Sequence, residues 1–494
     1  MIKKTNRDEI VSYFSDAANY VGECSEIFFP ENDDDIIEIL NKANKSKTKI
    51  TISGNGTGLT GGRVPEGGAV IATDKLNKII SIDKHNLSAV VQPGVLLADF
   101  KSETEKAGLF YPPDPTENNC FIGGTIATNA SGAKSFKYGS TRNFVNRLNI
   151  VLPNGEKVSI RRGEIFADDY HLSLKTKSGK HINLQLPEMI MPKVKHAAGY
   201  FIKKGMDAID LFIGAEGTLG VITEAELHLL PKPENFLSAV IFFSDVNQAI
   251  DFIAKARDLS YSSRRNKSTD ELDALSLEFF DANALDFLRG DFPKITESHA
   301  AAVWFEQETN SRNEETLTNM WIELIEKFGG DIENSWIATN VKVRREFQDF
   351  RHAVSWKISE FVAKNNMRKV GTDTSVPHEK FKDFYFSSNK LVEQNKLNYV
   401  NYGHFGDSHM HLNMLPKSQD EFLLAKNIYR EICLKAVESG GTVSAEHGIG
   451  KLKRPYFELM YSPNIIHEMA SIKKTLDPNL ILNFGNIFSP EFYD

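Results

Sequence analysis

Three histidines, His404, His409 and His411, fall within eight positions of the stretch NYGHFGDSHMHLNM, and GTVSAEHGIGK adds Glu446 and His447. The chain has only 13 histidines in 494 residues, so this density exceeds what composition gives by itself. Neutral imidazoles beside a carboxylate form a usual ligand set for a divalent ion. An imidazole near neutrality also suits a general base. Spacing leaves the grouping open. On a regular strand His409 and His411 share one face, whereas His404 and His411, seven apart, face oppositely. Gly406-Asp407 between them invites a turn that would bring them together. The plain alternative is a set of surface or core-satisfied histidines. Arg351, within FRHAVSWKISEF, which reads as a helix, offers the fork-shaped donor that binds a carboxylate with two parallel bonds.

A second kind of chemistry is written in glycine. TISGNGTGLTGG, residues 51–62, contains a literal G-x-G-x-x-G at Gly56, Gly58 and Gly61. A Rossmann fingerprint needs a strand before it and a helix opening within it. KITISG supplies the strand. The residues after Gly61 include Pro65, Gly67 and Gly68, which make a helix improbable. The stretch therefore reads as an open loop whose backbone N–H groups could cradle an anion, with a glycine-rich surface loop as the plain alternative. Two further segments allow close backbone approach to a large flat ligand. One is YPPDPTENNCFIGGTIATNASGAKSFKYGSTRNFV, and the other is GAEGTLGVI at 214–222.

SGNGTGLTGG, PPDP, GGTIATNASG, YGSTRN and GAEGTLGVITEAEL together resemble the PCMH-type FAD-binding domain of the vanillyl-alcohol oxidase superfamily. Within it, the chain resembles the FAD-linked D-2-hydroxy acid dehydrogenases, the group of D-lactate dehydrogenase, D-2-hydroxyglutarate dehydrogenase and the glycolate oxidase FAD subunit. The resemblance implies an α+β fold: a two-lobed PCMH-type FAD-binding domain plus an α+β substrate (cap) domain with antiparallel sheet. It implies that Ser53, Gly54, Asn55, Gly56, Thr57, Gly58 and Leu59 hold the FAD pyrophosphate. Pro113, Asp114, Gly123, Gly124, Thr125, Asn129, Ser131, Gly132, Tyr138 and Gly139 would line the rest of the flavin, with Glu216, Gly220, Ile222 and Asn483. Asn55, rather than a histidine, stands in the glycine loop, so noncovalent FAD is expected. The pattern GH-x-GD-x-x-x-H-x-N plus S-A-EH-G carries over to His404, His411 and Glu446 as metal ligands, with zinc expected and His409 left out. Asn413 would lie beside the substrate and His447 would be the base. Arg351 would take the substrate carboxylate, with Ser355 one turn on. Relatives that read K-Y-D place a lysine where RKVGTDTSVP has Gly371. Lys369, two positions earlier, is the candidate replacement, and a solvated lysine is the alternative.

These residues need scaffolding, and the bulk of the sequence says how much. Lys plus Arg number 58 and Asp plus Glu 66, a net charge of −8 that argues against a nucleic-acid partner. Hydrophobic content of 41% with 25% charged residues is ordinary for a globular protein. Three cysteines, Cys24, Cys120 and Cys433, make no disulfide framework. No secretory signal and no apolar run of about 20 residues is visible. The expected setting is cytoplasmic, with room for peripheral contact at the inner face of a membrane and for a homodimer. The expected partners are a small 2-hydroxy acid and an electron acceptor, whether cytochrome, quinone or electron-transfer flavoprotein. Four parts are expected: an N-terminal helical segment at 1–24, the FAD domain at 25–232, the cap at 233–440, and a segment at 441–494 that completes the active site and returns to the FAD domain. The stretch 156–198 reads as an inserted surface excursion. Alternative functions are another alcohol oxidised on the same fold, and a FAD-binding subunit of a multisubunit glycolate oxidase.

Overall fold

The computed structural model describes residues 1–338 and 341–493. The glycine loop sits between two small sheets. The first has strand order Ile2–Lys4, Glu26–Phe29, Ala69–Ala72 and Ile50–Ser53, the last three parallel. Its crossover helix, Asp33–Ser46, starts where the Asn32 side chain accepts the Asp35 N–H at 3.0 Å. Three aspartates then complement the helix dipole in the first turn. The second sheet is antiparallel, in the order Ile79–Asp83, Ser88–Val91, Val221–His228, Val145–Val151, Lys157–Arg161.

The N-terminal segment differs from the helical expectation. Its only α-helix is Arg7–Ile10, and Ile2–Lys4 adds an edge strand to the first sheet. Asp16 ties the remainder of the segment to the glycine loop, because its carboxylate accepts the Gly61 N–H at 2.7 Å.

The cap is built on an antiparallel sheet in the order Gly330–Ile337, Asn235–Phe243, Ala301–Thr309, Ala274–Asp281, Tyr399–Gly403, His409–Met414, Val370–Gly371. NFLSAVIFF buries both faces of its strand. Ala239, Ile241 and Phe243 enter the core that holds the helix Val246–Asn266, while Val240 and Phe242 enter one shared with Phe347 and Phe350. A period of two thus divides a continuous apolar run between two cores. Each large side chain so buried contributes roughly 1.5–3 kcal/mol.

The C-terminal segment returns to the first sheet. Ile50 N–H donates to the Ile481 carbonyl at 2.7 Å, and Asn483 accepts the Ile52 N–H at 2.7 Å. Among the described residues no helix is long and apolar enough to cross a membrane.

Candidate active site

A cavity runs from the glycine loop to the histidines. Gly54, Asn55, Gly56, Thr57, Gly58 and Leu59 line one end, and Gly123, Gly124, Thr125 and Ser131 line the middle. Glu216, Gly220, Ile222 and Asn483 complete that wall, and Glu446 and His447 close the inner end. No atom stands within 4 Å of where a Cβ would lie on Gly58 or Gly124, so their backbone faces open space. Gly56 has φ +79°, the left-handed region that glycine enters most readily. Arg63 braces this loop, donating to the Gly54 and Ser15 carbonyls at 2.9 Å each. A long flat ligand fits a wall of this kind, because at Gly58 and Gly124 no side chain stands between it and the backbone.

Seven residues expected to hold flavin do not border the cavity, and each has a partner within the chain. Asp114 is occupied by Lys101 and by Lys134 at 2.9 Å, and Pro113 is buried beside it. A Cβ on Gly132 would stand 1.9 Å from the Asp114 carbonyl oxygen, so that glycine serves chain packing. Asn129 accepts the Arg142 N–H at 3.0 Å. Tyr138 packs edge-on against Phe110, Gly139 ends the short helix Ser135–Tyr138, and Ser53 bonds its neighbour's carbonyl. Glu216 lines the cavity, yet its carboxylate accepts the N–H groups of Ile449 and Gly450 at 2.6 and 2.7 Å. It therefore anchors the loop that carries His447, and burial pushes its pKa up to about 7.

The cap supplies His404 and His411, and the C-terminal segment supplies Glu446 and His447. His404 follows the strand Tyr399–Gly403, and the single turn Phe405–Asp407 with Ser408 at φ +51° reverses the chain into His409–Met414. This reversal is what brings the rings of His404 and His411 to 5.5 Å. The loop 442–448 then inserts Glu446 between them. Its Oε1 lies 3.3 Å from His404 Nε2 and 3.2 Å from His411 Nε2.

The outer nitrogens decide what the inner ones can do. Nδ1 of His411 lies 3.3 Å from the Thr372 carbonyl, which can only accept, so this nitrogen carries a proton. In the neutral ring Nε2 then presents a lone pair to a carboxylate oxygen. Such a meeting of two acceptors requires a proton or a metal ion between them. Nδ1 of His404 meets Glu278 Oε1 at 2.6 Å in the same way. Burial disfavours the charged His404 ring, but Glu278 and Glu446 together outweigh it and the pKa lies above the ordinary value. Neighbouring ligand atoms on a tetrahedral zinc with 2.0–2.1 Å bonds are about 3.3 Å apart. The donor set and its spacing thus fit a divalent ion, with both imidazoles fixed by outer oxygens as metal-binding histidines are.

His447 stands beside this cluster, Nε2 at 3.6 Å from Glu446 Oε1 and Nδ1 at 3.3 Å from Asp373 Oδ2. Burial pushes its pKa down to about 4, although Asp373 pulls it up, so the ring is neutral near pH 7. Asp373 also holds His409 Nε2 at 2.9 Å, Ser444 Oγ at 2.8 Å and Lys453 Nζ at 2.6 Å. His409 Nε2 is thereby taken by Asp373, while its buried Nδ1 has no hydrogen-bond partner, and His409 lies within metal-ligand range of His404, His411 and Glu446.

Arg351 reaches the site, with Nε on Glu278 Oε2 at 2.9 Å and one terminal nitrogen on Thr116 Oγ1 at 3.1 Å. Ser355 bonds the Tyr402 hydroxyl at 3.2 Å, and Tyr402 sits across the strand pair from His411. Asn413 is buried, its amide donating to the His411 carbonyl. Lys369 is not brought to the cluster: it is exposed, ahead of the edge strand Val370–Gly371.

Three neighbours of the cluster carry no signal in the sequence: Glu278, Asp373 and Lys195. Lys195 corrects the view of 156–198 as a surface excursion. Most of that stretch is peripheral, with a hairpin His171–Lys175/His181–Gln185 and Ile190 fully outside. Its end then turns inward, and the Lys195 ammonium pairs with Glu446 Oε2 at 2.9 Å. Ala197 N–H donates to the Ser444 carbonyl, fastening the two segments together. An isolated lysine has no telling spacing; only its neighbour HAAGY, small and apolar after a polar stretch, hints at re-entry.

Models of known families match two parts of the chain: FAD binding domain over residues 25–161, and FAD linked oxidases, C-terminal domain, over residues 232–487. The chain is 30% identical to the glycolate oxidase subunit GlcD of Bacillus subtilis (strain 168), over 99% of this chain and 94% of that one. It is 30% identical to the D-2-hydroxyglutarate dehydrogenase of Stutzerimonas stutzeri (strain A1501), over 98% and 96%. A D-lactate dehydrogenase of Anaerostipes hadrus is 29% identical, over 92% and 87%. Among solved structures, alkyldihydroxyacetonephosphate synthase superposes with a TM-score of 0.67 at 16% identity, covering 97% of this chain and 82% of that one, which speaks to the fold alone. By the two family matches and by these relatives, the chain belongs to the FAD-linked oxidases, a family of FAD-dependent oxidoreductases.

Proposed function

We propose that this chain oxidises a D-2-hydroxy acid to the 2-oxo acid, with noncovalent FAD in the long cavity and a divalent ion, zinc foremost, held by His404, His411 and Glu446. The observation that carries the reading is the convergence of two imidazole Nε2 atoms on one carboxylate oxygen beside a neutral imidazole, all at the inner end of a glycine-walled cavity. FAD, when bound, supplies the hydride acceptor at flavin N5. The metal ion, when bound, supplies Lewis acidity at the substrate oxygens.

The chain's own residues do the rest. The terminal nitrogens of Arg351 receive the substrate carboxylate, because Glu278 has already taken Nε. His447 takes the hydroxyl proton at Nε2, with Asp373 holding the opposite nitrogen. The Cα hydrogen then leaves as hydride. Ser355 and Asn413 border the substrate. The electron acceptor is a cytochrome, a quinone or an electron-transfer flavoprotein. A second reading, in which the chain is the FAD-binding subunit of a larger glycolate oxidase, is favoured by the name of one full-length relative.

Anaerobic mixing of the purified yellow protein with D-lactate, D-2-hydroxyglutarate or glycolate tests the substrate class. Bleaching by at least one is expected, and no bleaching by any of the three overturns the reading. Chelation tests the metal: turnover unchanged in protein shown by elemental analysis to hold none dismisses it.

A further inference from the structure

One carboxylate touches both halves of the proposed machinery. Glu278 lies on the central strand Ala274–Asp281 and is buried, 3% exposed. Its Oε1 meets His404 Nδ1 at 2.6 Å and its Oε2 meets Arg351 Nε at 2.9 Å. The strand itself is fixed by pairing Phe279 with Gly403, the residue before His404. Each oxygen of Glu278 therefore fixes one functional group, and neither is shared.

We propose that Glu278 is the positioning residue that sets the separation between the metal site and the carboxylate clamp. The inference rests on the proposed oxidation of a 2-hydroxy acid. In such a substrate the carboxylate and the hydroxyl stand on adjacent carbons, so the groups receiving them must be held at one fixed spacing. A rigid carboxylate spanning both does this with a single side chain. Toward His404 it accepts the Nδ1 proton, which keeps Nε2 bare as a ligand; such outer carboxylates raise ligand basicity and fix ring orientation. Toward Arg351 it occupies the Nε edge, so the two terminal nitrogens point away, one of them to Thr116, a residue lining the FAD cavity. Arginine binds carboxylates with two parallel donors, and this arrangement leaves the terminal pair for that task.

Glutamine at this position has nearly the same shape but only one acceptor oxygen. It can serve His404 or Arg351, not both. Purified Glu278→Gln, with FAD content confirmed by its absorbance, is titrated with zinc against a chromogenic chelator. Affinity about 10–100-fold below the unaltered chain is expected. With zinc then saturating, the KM for the 2-hydroxy acid that bleaches the flavin is expected to stay raised several-fold, since Arg351 has lost its anchor. Zinc held as tightly as by the unaltered chain, or full recovery of KM at saturating zinc, overturns the proposal. If Glu278→Gln does not accumulate as FAD-bound protein, Glu278→Asp carries the same two measurements, because the shorter side chain cannot span both partners. An unaltered chain that binds no zinc refutes the metal reading instead, and that result is distinct from any outcome with the variants.

Discussion

The wall of the cavity that faces the expected cofactor is made of backbone, and the wall that faces the expected substrate is made of side chains. On the first, Gly54, Gly56, Gly58, Gly123 and Gly124 present main chain to the cavity. On the second, His404, His411, His447 and Glu446 converge, each held by another buried polar group. A backbone wall recognises by shape and by N–H direction, and it changes little with protonation. A side-chain wall works through lone pairs and charge, so it needs a second layer to fix tautomers and offset buried charge. That layer is one cation per carboxylate: Arg351 for Glu278, Lys195 for Glu446 and Lys453 for Asp373.

The sharpest way to break this comparison is to damage the side-chain wall and leave the backbone wall intact. His447→Ala should lower the rate of flavin reduction by about 10²–10⁴-fold, the usual contribution of a positioned base, while FAD and metal content stay unchanged. Anaerobic stopped-flow absorbance reads the rate, and an undiminished rate would remove His447 from the mechanism. Lys195→Met tests the second layer. It leaves Glu446 Oε2 with only the Ser131 hydroxyl, at 3.2 Å. Flavin reduction is expected to slow by about 10–100-fold, as for other outer partners of a metal site, with FAD content retained. A rate equal to that of the unaltered chain would return 156–198 to the status of a surface excursion.

The two walls were also unequally legible in sequence. Glycine runs announce close backbone approach wherever they occur, so the cofactor wall could be read locally and the G-x-G-x-x-G string discounted from the proline and glycines that come after it. The histidines announced themselves by rarity, and Gly406-Asp407 by turn chemistry. Their supports did not. Glu278 is 126 positions from His404 and 73 from Arg351, and a lone glutamate on a buried strand has no pattern that says which imidazole it will meet. Lys195 was hidden for the same reason. Motif resemblance does not by itself separate residues that border the cavity from residues that build the wall behind it. Asp114, Asn129, Gly132 and Tyr138 belong to a stretch that resembles a flavin wall, yet their atoms are used to fold that wall.

The converse experiment damages the backbone wall alone. A Cβ at Gly56 would adopt φ +79° and stand 2.7 Å from the Arg63 guanidinium carbon. Left-handed backbone costs a non-glycine residue roughly 1–2 kcal/mol, so Gly56→Ala should weaken FAD binding about 5–30-fold. Fluorescence titration of the apoprotein with FAD measures this, and zinc content should not change. A parallel loss of zinc would mean that the two walls are not separable.

The smallest expected effect concerns the one expected substrate residue that the fold leaves outside. Lys369 is exposed and precedes the edge strand, whereas Gly371 pairs with Asn413 and a Cβ there would meet the Asn413 amide oxygen at 2.6 Å. The position that faces the cluster thus carries no side chain, and the lysine that could have replaced it stands in solvent. Lys369→Ala should therefore leave stability within about 0.5 kcal/mol and KM within about twofold for whichever 2-hydroxy acid reduces the flavin. If KM for D-2-hydroxyglutarate alone rose tenfold, Lys369 would have to reach the second carboxylate of that substrate, and the side-chain wall would extend around the strand edge. An unchanged KM instead confines recognition of charge to Arg351 and the cluster, and leaves Lys369 a solvated lysine ahead of the strand edge.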